Sequence, residues 1–127
     1  SLAMYLSVLV SQVDGKVSEE EIFMLLNQAD KWTYLKPAEQ QRLKAHVLWL
    51  RTQNLNMSGV KKRIENLDAA QKEMVGNLII QVSQVDGTVP VDEMKLIERI
   101  FKLLGIETTN LYSKMHHAAI EPITVVP

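Results

Sequence analysis

The strongest constraint on this chain is an internal duplication. Val10-Ser11-Gln12-Val13-Asp14-Gly15 recurs letter for letter 72 residues later as Val82-Ser83-Gln84-Val85-Asp86-Gly87. The match runs outward to Leu6/Leu78, Val17/Val89 and Glu21/Glu93, giving nine identities in the 16 aligned positions from 6 to 21. Acidity is kept at Glu20/Asp92 as well. A repeated segment of this kind marks a structural unit present twice, so the fold must be built around two copies.

Each copy has the pattern of helix, turn, helix. Leu2, Tyr5, Leu6, Leu9, Val10 and Val13 fall at helical spacing before the first turn, and Met74, Val75, Leu78, Ile79, Val82 and Val85 before the second. After the turns the stripes are Ile22, Leu25, Leu26, Ala29 and Met94, Ile97, Ile100, Phe101, Leu104. Asp-Gly ends the leading helix, because Gly15 and Gly87 reach the left-handed conformation without steric cost. Ser18-Glu19-Glu20-Glu21 then forms a capping box for the next helix. The second copy has Pro90 in place of Ser18, which suits a helix start but has no hydroxyl to cap it.

The remaining segments complete an all-α expectation of about seven helices. Pro37 opens a helix to about Gln53, with Leu43, Val47, Leu48 and Leu50 inward, and a weaker one spans about Ser58 to Leu67. Asp68 caps the helix carrying the second motif, and Thr108 or Thr109 starts a short one reaching about His117. No sheet is expected. The expected layout is one helical domain over residues 1–117, with repeat units at about 2–32 and 69–104, and an extended tail over 118–127. Because the chain opens on Ser1 rather than Met and closes on Val125-Val126-Pro127, it is expected to be a segment of a longer protein, with the tail leading onward.

Composition narrows the chemistry. The chain has 127 residues and no cysteine, which removes disulfides, thiolate metal sites and thiol catalysis and fits a cytoplasmic setting. Fourteen Lys+Arg against 15 Asp+Glu give no overall attraction to nucleic acid or anionic lipid. There is no membrane-length apolar run, and Leu2–Val10, with no basic flank and no small-residue cleavage site, is not expected to be a signal peptide. Zinc-protease, phosphate-loop, dinucleotide and serine-nucleophile motifs are lacking, so no enzyme is expected.

The charge total conceals clustering. Seven of the 15 acids lie in the two segments 14–21 and 86–93. Asp14, Gly15, Val17 and Glu21 fit positions 5, 6, 8 and 12 of an EF-hand loop, as do Asp86, Gly87, Val89 and Glu93. Positions 1 and 3 fail, being Val10 and Gln12, then Val82 and Gln84. A single turn is therefore short of the six to eight oxygens Ca²⁺ takes. Two turns brought together would pool Asp14, Glu20, Glu21, Asp86, Asp92 and Glu93, a set suited to a hard cation of the Ca²⁺ or Mg²⁺ type. The competing explanation is structural: acids in a first helical turn are favoured by the helix dipole, and Asp-Gly is ordinary turn chemistry. Both readings stand at this point.

The other candidates are weaker. His116 and His117 are adjacent, so on a helix they point about 100° apart and do not face one ion. His46 is isolated in a helix. Lys61-Lys62-Arg63 suits a solvated helix face. Trp32, Tyr34 and Trp49 suit the core or rim of a bundle, and joint exposure of Trp32 and Tyr34 would instead mark a protein interface.

The duplicated Asp-Gly-x-Val-x-x-acid-Glu motif, with Ile100-Phe101-Lys102-Leu103-Leu104-Gly105-Ile106 closing the second copy, resembles the TerB-like proteins of bacterial tellurite resistance. The resemblance covers about Leu2 to Ser113. It is similar also to the helical module of membrane-anchored J-domain co-chaperones and multidomain stress proteins. The resemblance implies a non-enzymatic, cytoplasmic helical domain in a tellurite- or stress-resistance system. Its partners would be other resistance or stress proteins, or domains of the same longer chain, with neither nucleic acid nor direct membrane insertion. Carried over by position, its acidic face comprises Asp14, Glu20, Glu21, Asp86, Asp92 and Glu93, on turns shaped by Gly15 and Gly87, and either binds a divalent ion or docks a partner. The alternative is a purely structural interaction domain without metal.

Overall fold

The computed structural model describes residues 1–85, 87–108, 111 and 124–126. Among them are six helices: α1 (Leu2–Gln12), α2 (Glu19–Lys31), α3 (Pro37–Leu50), α4 (Val60–Glu65), α5 (Ala69–Ser83) and α6 (Val91–Leu104). Two three-residue strands, β1 (Thr88–Pro90) and β2 (Thr124–Val126), complete the set. The expected seventh helix, at about 108–117, falls largely outside the described residues.

The architecture centres on α1, which packs against α5, α3 and α6. Nine of its eleven residues are buried, including Met4 and Val8 off the predicted stripe. A helix apolar on every side must be surrounded. Its two buried hydroxyls are satisfied within the helix: Ser7 donates to the Ala3 carbonyl at 2.8 Å and Ser11 to the Ser7 carbonyl at 2.9 Å. Val13, by contrast, is 41% exposed.

Side chains of α1 also fasten the segment after α3. Gln12 Nε2 donates to the Gln53 carbonyl at 2.7 Å, while its Oε1 accepts from the Leu55 amide at 3.2 Å. The Tyr5 hydroxyl donates to the Asn56 carbonyl at 2.8 Å. An irregular connection thus has its backbone groups answered by side chains.

Helix boundaries follow the local signals. Pro37 is the first residue of α3, and Glu39 Oε1 accepts the Lys36 amide at 2.9 Å. Asp68 caps α5 by accepting the Gln71 amide at 2.8 Å. Val47 and Leu50 are buried and Leu43 half-buried, but Leu48 is 39% exposed. It sits one residue, about 100°, beyond Val47 and leaves the stripe.

Helix α6 buries Met94, Ile97, Ile100, Phe101 and Leu104. It stops at Gly105, where the Ile106 amide returns to the Phe101 carbonyl at 2.9 Å. That return carries Ile106 against α5: a Cβ built on Gly76 would lie 3.1 Å from Ile106 Cδ1 and 3.4 Å from Phe101 Cζ.

One element departs from the all-α expectation. β2 pairs in parallel with β1, matching Thr88 with Thr124, Val89 with Val125 and Pro90 with Val126. The β-branched tail favours extended backbone, and Val89 beside it is fully buried. Parallel pairing of segments so distant in the chain leaves no local mark comparable to a hairpin turn. No helix among the described residues is long and apolar enough to cross a membrane.

Candidate functional site: the acidic turns and the groove beside α2

In the first motif the Gly15 amide donates to the Gln12 carbonyl at 3.0 Å, and Gly15 has φ +134°. Gly87 repeats the bond to Gln84 at 3.0 Å, with φ +75°. Both glycines therefore occupy backbone conformations that side chains resist. Ser18 then caps α2. Its Oγ accepts the Glu21 amide at 3.1 Å, and Glu21 Oε1 accepts the Ser18 amide at 2.9 Å. Glu21 is buried by this arrangement, and one of its oxygens is committed to the backbone. Replacing Ser18 with alanine is expected to cost about 1 kcal/mol; urea unfolding checks it, and an unchanged midpoint would mean the cap contributes nothing.

The second motif differs as its sequence requires. Pro90 is the N-cap of α6 and makes no side-chain capping bond. Glu93 is buried, at 4% exposure, while Asp92 beside it is exposed. The same split occurs in the first motif, where Asp14, Glu19 and Glu20 are exposed and Glu21 is not. Consecutive positions on a helix diverge by about 100°, so each acidic run is divided between interior and solvent. Glu19 also makes an ion pair with Arg51 at 3.4 Å.

Asp86 lies outside the described residues. Among the described residues, no group of three or more His, Asp or Glu side chains is placed to hold a metal ion. Asp14, Glu20, Glu21, Asp92 and Glu93 are thus not assembled into one such group.

His116 and His117 also lie outside the described residues. His46 stacks on Trp49, with ring centroids 5.7 Å apart, and its pKa is held below the ordinary value, first by desolvation and then by the positive N-terminus and Arg63. Lys61, Lys62 and Arg63 are exposed, and the Arg63 guanidinium lies 5.3 Å from the centre of the Tyr5 ring. Trp32 is buried whereas Tyr34 is 69% exposed, so the two are not exposed together.

A feature missed from the sequence lies beside α2. Ile22, Leu26, Leu48 and Val85 contribute to a groove of about 950 Å³, with Glu19, Glu20, Lys31 and Arg51 also lining it. Phe23 lines it too and is 66% exposed. The available signal was Phe23 itself, an aromatic residue one position off the stripe of Ile22, Leu25, Leu26 and Ala29.

Two glycine turns, at Gly15 and Gly87, each followed by a helix with acids in its first turn, mark a mostly helical module of a recognisable class. The family model of the tellurite resistance protein TerB matches residues 1–115, and the chain belongs to that family. No curated protein and no solved structure matches it. Family membership associates the module with tellurite resistance.

Proposed function

We propose that this chain is a non-catalytic, cytoplasmic module of a bacterial tellurite- and stress-resistance system, acting by docking a protein against the groove beside α2. The observation that carries this reading is Phe23, a large aromatic side chain 66% exposed at a groove with apolar walls. Aromatic anchors contribute most where they enter a partner's pocket and lose water, and full burial of a Phe side chain is worth about 1.5–3 kcal/mol. Glu19, Glu20, Lys31 and Arg51 at the same groove supply charge for register and encounter. Docking is favoured over ion coordination because Glu21 is engaged by the Ser18 amide and Glu19 by Arg51.

The test uses a strain whose tellurite tolerance depends on this chain. Phe23→Asp, with helicity and unfolding midpoint retained, is expected to abolish tolerance, while Asp14→Asn combined with Asp92→Asn leaves it intact. Tolerance surviving Phe23→Asp but lost in the Asp14/Asp92 variant would reject docking and install a divalent-ion function for the acidic turns.

A further inference from the structure

The surface of α2 has a charge order that matches its own reverse. Glu20 and Lys31 are eleven residues apart, which on a helix is three turns plus about 20° and roughly 16 Å along the axis. They therefore share a face at opposite ends of α2, both exposed and both lining the groove. Neither makes an ion pair among the described residues. Met24 and Asn27 lie between them on the same side of the helix, with Phe23 at its border.

Laid antiparallel on a second α2 about a twofold axis near the helix midpoint, this face sets Glu20 opposite Lys31 of the other copy, and the converse, in the same operation. Met24 meets Asn27, and each Phe23 is directed toward the apolar side of the facing groove. A twofold interface requires this kind of self-complementarity, since residue i meeting j forces j to meet i. A foreign partner places no such demand on the acid and the base of a single helix.

We infer that the occupant of the groove is a second copy of this chain, joined through an antiparallel α2–α2 contact with Phe23 as anchor and two Glu20–Lys31 pairs as register. The inference rests on the proposed docking role of the groove and specifies its partner.

Sedimentation equilibrium of the full chain up to about 500 µM tests it, since association follows mass action. The wild type is expected to dimerise, more weakly as salt rises. Phe23→Asp is expected to weaken association at least tenfold with unfolding unchanged. Glu20→Lys alone and Lys31→Glu alone place like charges opposite each other, and each is expected to be predominantly monomeric. Mixed in equal amounts, those two single variants are expected to associate with each other, because every reversed contact then finds its opposite; the double variant in one chain recovers self-association in the same way. A wild type that is monomeric throughout, or single reversals that dimerise as the wild type does, overturns the assignment. Monomeric wild type combined with loss of tellurite tolerance in Phe23→Asp cells would leave docking to a different protein standing, so the two failures are separable.

Discussion

Phe101→Ala is expected to remove about 3–5 kcal/mol of stability, the range for truncating a buried aromatic side chain when the hole does not collapse. Phe101 is the largest fully buried side chain among the described residues, and its ring approaches α5 where Gly76 offers no side chain to move into the vacancy. Domains of this size hold only about 5–15 kcal/mol in total, so the variant would lose about a fifth or more of its margin. Guanidinium unfolding with an unchanged slope measures it. A loss below about 1 kcal/mol would mean that the ring is not part of the packed core.

Gly76→Val tests the same junction in the opposite sense. Glycine within a helix costs up to about 1 kcal/mol relative to alanine, so a substitution on an open face would stabilise α5. Here a Cβ already falls 3.1 Å from Ile106 Cδ1 and 3.4 Å from Phe101 Cζ. Alanine is expected to be close to neutral, because the nearest atom is the tip of a flexible side chain. Valine adds two further methyl groups and is expected to destabilise by about 1–3 kcal/mol through overpacking. Combining it with Ile106→Ala should recover part of that loss, a non-additivity expected only of residues in contact. Strict additivity in the same denaturation experiment would reject the contact between Gly76 and Ile106.

The sequence carried the helices well where pattern and boundary chemistry agree. The stripe from Met94 to Leu104 is the buried face of α6, and Ser18 and Asp68 cap the helices expected of them. These signals are local: a hydroxyl or carboxylate, an amide three residues on, and a repeat of apolar side chains. Tertiary placement is not local. Met4 and Val8 are buried because other helices surround α1, and no stripe within α1 specifies that. Val125 joins Val89 across a long stretch of chain with no turn motif to announce it.

The candidate site was legible in part for the same reason. The motif located the acidic turns, but not the division that buries Glu21 and Glu93 while exposing Glu20 and Asp92. That division depends on which helix face the core claims. The groove was missed because three separate helices contribute to it, and only Phe23 carried an advance sign.

The central position of α1 has a consequence for biosynthesis. Its last residue, Gln12, precedes the end of α5 at Ser83 by about seventy residues, so at roughly 5–20 residues per second the ribosome delivers the two about 4–14 s apart. During that interval the most apolar helix of the domain has emerged without the neighbour it packs against most extensively. The apolar surface of α1 is therefore covered only once α5 has been made, and the domain closes from its C-terminal half onto its first helix.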